Sequence, residues 1–151
     1  MLDGRTPSIH ASAVLIGARA VLIRGPAGSG KSRLVLALLQ AGGRGLLAFA
    51  RLVADDRTIV EPAHGRLLAR PVPELAGLLE VHGLGIRRLP FEPVAVVSHV
   101  VDLAAADAAR LPDKSAEEVV VDGVRLPRIA VATSCNPLPP VLAALATERA
   151  G

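Results

Sequence analysis

The sequence predicts an α/β fold, a central mixed β-sheet flanked by helices. Three observations carry that expectation. Short β-branched runs recur (residues 13–16, 20–23, 52–54 and 94–101), bounded by Gly, Pro or Asp as buried strands are. A helical pattern follows the second run, with Leu34, Val35, Leu38 and Leu39 on one side. Strand, loop, helix, strand in this order builds a sheet with helices packed on it. At 151 residues and 51% hydrophobic, the chain is long enough to bury one core, so residues 1–151 are expected to form a single domain.

Each element has its own reason. Residues 13–16 and 20–23 are separated by Gly17-Ala18-Arg19, which suits a tight hairpin. Residues 31–40 read as a helix ended by Gly42-Gly43. Residues 52–54 are a brief buried strand that delivers Asp55 and Asp56 at its end. Pro71-Val72-Pro73 breaks the chain before a short helix expected over 74–79. Residues 94–101 form the longest strand-like run and lead to Asp102. A helical turn is expected at 107–111, strands at 118–121 and 128–132 around Asp122-Gly123, and a last helix over 141–149, entered through Pro137, Pro139 and Pro140.

Composition excludes several functions. The aromatic residues are Phe49 and Phe91 alone, too few for a base-stacking platform. The net charge of +3 is scattered, and Arg87-Arg88 is the one adjacent basic pair, so no nucleic-acid partner is expected. Cys135 is the sole cysteine, which excludes an intramolecular disulfide. The first ten residues lack signal-peptide character, and no apolar run approaches the roughly 18–20 residues of a membrane span. A cytoplasmic protein with no membrane partner is the expectation.

Residues 25–32, Gly25-Pro26-Ala27-Gly28-Ser29-Gly30-Lys31-Ser32, match G-x-x-x-x-G-K-[ST] at every fixed position. Glycines let the backbone curl so that successive N–H groups point at phosphate oxygens, and the following helix presents its positive end to the same anion. Lys31 would reach the β- and γ-phosphates, and the Ser32 hydroxyl would ligate Mg²⁺. The motif fixes a nucleoside triphosphate or pyrophosphate ligand and leaves the reaction open.

Phosphoryl transfer also needs a metal-holding carboxylate and a group to orient the attacking oxygen. Asp55-Asp56, Glu80 and Asp102 all end apolar runs. If the strand continues through Asp55 and Asp56 they point to opposite faces, leaving one toward the phosphate, where it would take a proton from an attacking alcohol. In LLEVHGLGIRRL, residues 78–89, Gly83 and Gly85 suggest a backbone that passes close to something, with Glu80 just before them.

Four blocks in order resemble the catalytic domain of the HPr kinase/phosphorylase family, which acts on a serine of the phosphocarrier protein HPr. They are SIHASAVLIGARAVLIRG, GPAGSGKS, LVADD and LLEVHGLGI. The resemblance runs from about Ser8 to Arg110, and the last block is its most specific part. It implies a P-loop kinase domain using ATP and Mg²⁺. In it Asp56 would be the base that deprotonates the substrate serine, and the acid in reverse. Ser32 and Glu80 would hold Mg²⁺, Lys31 would stabilise the transferring phosphoryl group, His10 would sit beside the phosphates, and Arg110 would match a catalytic arginine. It also implies a homo-oligomer, a hexamer in the family, and HPr as partner.

The departures are specific. Nine residues precede the His10 block, as in the family's short forms. The segment GGRGLLAFAR, residues 42–51, lengthens the connection before LVADD, and His82 stands where an Arg is typical. The family's Gly-Arg-Asn loop, linked to dephosphorylation, is replaced by VATSCNPLPPV, so kinase activity has better support than phosphorylase activity. Two other readings use the same loop. One is a small-metabolite kinase with Asp102 as the metal-binding acid. The other is a non-catalytic nucleotide switch, although the chain lacks an Asn-Lys-x-Asp base-reading motif.

Overall fold

The first two apolar runs pair as a hairpin, β1 (Ile9–Ile16) with β2 (Arg19–Arg24), through a left-handed Gly17. The computed structural model describes residues 7–148 and 150. There follow α1 (Lys31–Gly43), β3 (Ala50–Ala54), β4 (Arg57–Ala63), β5 (Arg66–Pro71), β6 (Leu78–Val81) and β7 (Gly85–Arg88). The chain then runs through β8 (Ala95–Leu103), β9 (Glu118–Val121), β10 (Val124–Val131) and α2 (Leu138–Ala146).

The sheet is mixed. β1 pairs antiparallel with β2, β3 and β4, whereas β8 runs parallel to both β2 and β10. Because β4 pairs β5 and β5 pairs β8, strands β1, β4, β5, β8 and β2 close into a ring. A ring of so few strands has a narrow interior, which small side chains fill. Ala11, Ala13, Ala20, Ala69 and Ala95 do so, packed with Leu22 and Leu67 and extended by Val124 and Leu126 of the β9–β10 hairpin.

The helices occupy the opposite layer. Leu34, Val35 and Leu38 of α1 and Val141 of α2 are buried against Val21, Ile23, Val101 and Val131. Each fully buried aliphatic side chain contributes about 1.5–3 kcal/mol. Both helices therefore cover one face of the sheet, rather than flanking it on two. Hairpins occupy the other side, because the alternating Leu22, Val100, Val124 and Leu126 positions meet strand residues there.

Local expectations are corrected at four places. α1 runs through Gly42 and Gly43, where a Cβ at Gly42 would come 2.7 Å from that of Ala50, so this glycine serves close packing. The helix expected over 74–79 is a 3-10 turn at Pro73–Leu75, cut short by Gly77 at φ 78°, after which Leu79 is buried in a strand. No helix forms at 107–111, where Ala104 is left-handed at φ 53° and Asp107 is tied to Arg128. The last helix begins at Leu138, since Pro139 and Pro140 fit its first turn. It ends at Ala146, and Arg149 lies outside the described residues.

Candidate active site

β2 delivers Gly25 to a loop whose Gly28 and Gly30 have φ of 80° and 100°, a region other residues enter at a cost. A Cβ at either would meet nothing within 4 Å, so these glycines serve conformation and leave the cradle open. Gly25 serves space instead: its Cβ would fall 2.4 Å from Ser29 Oγ and 3.1 Å from Leu103 Cβ. Gly30 caps α1 with no side-chain hydrogen bond, which leaves first-turn N–H groups for an anion. Lys31 is buried, and its Nζ donates to the carbonyls of Gly25 (2.9 Å) and Pro26 (3.3 Å). Ser29 Oγ is buried without a partner among the described residues.

The two acids sit in the turn between β3 and β4. Asp55 accepts from Ser32 Oγ, 2.7 and 2.9 Å from its two oxygens, from Ser12 Oγ at 2.9 Å, and from the Glu80 N–H at 3.3 Å. The strand does not continue through the pair. Asp56 is left-handed at φ 65°, held there because its N–H donates to Ser12 Oγ (2.9 Å) and its carbonyl accepts from the Ala11 N–H (3.1 Å). That reversal breaks the alternation of a strand, and both carboxylates line one cavity. A non-glycine residue held in this region carries backbone strain of the kind that gathers at functional sites.

The cavity, of about 620 Å³, brings together Lys31, Ser32, Asp55, Asp56 and Glu80 with Ala27, Gly28 and Gly30 of the loop. Leu36, Val81 and Ile86 give it an apolar wall. His10 is exposed and does not line it, but pairs across the ladder with Arg57, next to Asp56. Arg110 is exposed and also outside its lining. Gly83 and Gly85, expected to mark a close approach, have nothing within 4 Å of an added Cβ. Their φ of 89° and 91° form the β6–β7 turn instead.

The residues present fit Mg²⁺ bound with phosphates. Ser32, Asp55 and Glu80 offer oxygen ligands beside an open loop, the donor chemistry this ion prefers. Among the described residues no three His, Cys, Asp or Glu converge, so phosphate and water oxygens would complete the shell.

Asp102 has a different environment. Its oxygens accept Arg24 Nε at 2.7 Å, Arg24 Nη2 at 2.9 Å and Arg128 Nε at 2.6 Å. Partial burial pushes its carboxyl up, but the hydrogen bonds and charges of the two arginines outweigh this and hold it below the ordinary carboxylate range.

Two features escape sequence reasoning. Ser12 orders both acids, and its only trace is a hydroxyl inside an otherwise apolar, fully buried stretch of β1. The arginines around Asp102 are 78 and 26 residues away in sequence and leave no local signal.

No protein-family model matches the chain. Over 78 residues it is 36% identical to the HPr kinase/phosphorylase of Clostridium beijerinckii, covering 52% of this chain and 24% of that protein. The enzyme of the same name from Clostridium tetani is 35% identical over 82 residues, 54% and 25% of the two chains. That from Lactobacillus acidophilus is 36% identical over 80 residues, 52% and 23%. The matched stretch spans about a quarter of the length of these curated relatives. The structure of the Hpr(Ser) kinase/phosphatase from Coxiella burnetii superimposes with a TM-score of 0.70 at 25% identity, over 90% of this chain and 91% of that one. In both sequence and fold, the chain is related to the HPr kinase/phosphorylases.

Proposed function

We propose that this chain is a single-domain HPr serine kinase, transferring the γ-phosphoryl group of ATP to a serine hydroxyl of an HPr-like phosphocarrier protein. The observation that carries the proposal is the meeting of Lys31, Ser32, Asp55, Asp56 and Glu80 in one cavity. The relatives' names supply the substrate class. Bound Mg²⁺ would supply charge neutralisation at the phosphates.

The chain's own residues divide the remaining work. The loop N–H groups and the start of α1 hold phosphate oxygens. Lys31 leaves the carbonyls of Gly25 and Pro26 and turns to the transferring group. Ser32 and Glu80 would hold the metal, with Asp55 orienting Ser32 through its hydrogen bond. Asp56 accepts the proton of the attacking serine, and the family resemblance assigns His10 and Arg110 to the charge balance around the phosphates, although both stand outside the cavity lining. Phosphorolysis of the product would use Asp56 as acid. We also propose a cytoplasmic homo-oligomer as the working form.

The small-metabolite reading needs a free carboxylate at Asp102, and two guanidiniums already grip both oxygens of that side chain. Intact mass spectrometry of an HPr protein incubated with the chain, ATP and Mg²⁺ tests the proposal. One added phosphate, mapped to serine, is expected. Asp56→Asn should abolish the gain while nucleotide binding persists. No added phosphate with the native chain would overturn the reading, and excess phosphate added to the product would test reversal.

A further inference from the structure

Outside the cavity, four alternating charges link the three parallel strands to the segment that follows β8. Arg24, the last residue of β2, grips both oxygens of Asp102 on β8, and Asp102 shares Oδ2 with Arg128 of β10. Arg128 then turns Nη1 and Nη2 to the two oxygens of Asp107, at 2.8 and 3.0 Å, and Nη1 also donates to the Ala116 carbonyl at 3.1 Å. One guanidinium thus ties down both ends of the segment between β8 and β9. That segment leaves the sheet beside the phosphate loop, since Leu103 Cβ lies 3.1 Å from where a Gly25 Cβ would be. It is anchored at its start by the Ala105 N–H donating to the Val131 carbonyl at 3.0 Å. Within it, Arg110 is exposed and makes no hydrogen bond or ion pair with the described residues.

The burial of this chain is uneven, and the unevenness matters. The Arg128 side chain is 13% exposed, but that of Asp107 is 54% exposed. An ion pair with one such open partner contributes little to stability, because water screens it. Its geometry is nevertheless bidentate, which fixes direction as well as distance. A contact weak in stability and strong in orientation is suited to holding a loop in place.

We propose that Arg128, itself held by Asp102, acts through Asp107 as a positioning residue that fixes residues 104–117, the segment that leaves the sheet where Leu103 meets the phosphate loop and that carries Arg110, for phosphoryl transfer. The proposal rests on the kinase reading above. Asp107 is the place to test it, because Arg128 also serves Asp102 and its removal threatens folding.

The full chain would be compared with Asp107→Asn, Asp107→Glu, Arg110→Ala and the Asp107→Asn/Arg110→Ala double variant. Hydrogen exchange across 104–117 and steady-state phosphorylation of an HPr protein are the two readouts. Asp107→Asn should speed exchange in that segment and lower kcat about tenfold at unchanged KM for ATP, the cost of a misplaced group. Asp107→Glu should restore both. The double variant should be no slower than Arg110→Ala alone, because residues acting through one another do not add. Unchanged exchange in Asp107→Asn would overturn the proposal, as would losses that multiply in the double variant. If the native chain makes no phosphorylated HPr, the kinase reading falls and the transfer role with it. The exchange measurement, which needs no substrate, would still decide whether Arg128 holds the segment.

Discussion

Asp55 and Asp102 each stand at the end of a short apolar strand near the phosphate loop, yet their surroundings are opposite. Asp55 receives two serine hydroxyls and a backbone N–H, all neutral donors that leave its charge uncompensated and facing a cavity. Asp102 receives two guanidiniums, which offset its charge and take three of its roughly four acceptor positions. A carboxylate whose partners are neutral keeps more of its charge for a cation than one paired with arginines. The difference follows from strand alternation. Asp102 shares the sheet face of Leu22 and Val100, where Arg24 and Arg128 also project, whereas Asp55 turns toward α1 and Ser32.

The sharpest way to break this contrast is Asp55→Asn. On the kinase proposal, loss of the partner that orients the Ser32 hydroxyl, the proposed metal ligand, should weaken Mg²⁺ affinity in the nucleotide complex and the transfer rate by about 10- to 100-fold. A metal titration followed by the transfer assay reads both. Asp102→Asn should leave Mg²⁺ affinity as it is and instead lower thermal stability by about 2 kcal/mol, since two arginines lose their shared anion. Calorimetry on the folded chain separates that result from a metal effect.

Ser12→Ala sharpens the comparison from the other direction. It removes a donor from Asp55 and the acceptor of the Asp56 N–H. A loss of about 1 kcal/mol in chemical denaturation is expected, because two part-buried hydrogen bonds are lost. Transfer should fall as well, while melting of the Asp102 region by hydrogen exchange stays unchanged.

The smallest effect belongs to His99, three residues before Asp102 on β8, where burial holds the imidazole below its ordinary value of 6.5. The fold therefore prefers the neutral ring. Its contribution is fully present above 6.5 and is lost as pH falls through the lower folded value. Melts at about pH 7.5 and about pH 5.5 should show a modest destabilisation that His99→Gln reduces. Asp102 contributes nothing in that window, because its two arginines keep it ionised throughout.

Much of the cavity lining was legible in the sequence because each of its parts is local. The loop 25–32, the acids at 55 and 56, and Glu80 each follow a short apolar run whose length and ending could be read locally. What remained hidden depends on residues far apart in the chain. Whether Asp55 or Asp102 was free turned on Arg24 and Arg128, and nothing in a linear pattern distinguishes a carboxylate with arginine partners from one without. The orientation of Asp56 depended on a single backbone reversal stabilised from β1. The layer of hairpins opposite the helices was likewise unreadable, since the ring closes through β2–β8 and β5–β8 pairings between distant segments.

Strand β1 pairs with β2, with β3 and with the start of β4. It therefore serves as a common ruler for the phosphate loop and the acid turn. Near Ala11 it meets the elements that carry both, while its far end, Ile16, lies opposite Ala50 and the β1–β2 turn. The lengthened connection of residues 42–51 emerges at that far end, where Gly17 N–H bonds the Phe49 carbonyl. Changes in chain length there are absorbed before they reach the chemistry. By contrast, inserting one residue into β1 would shift its register and turn Ser12 to the other face. Changes in length are thus cheap at one edge of this architecture and costly along a single strand.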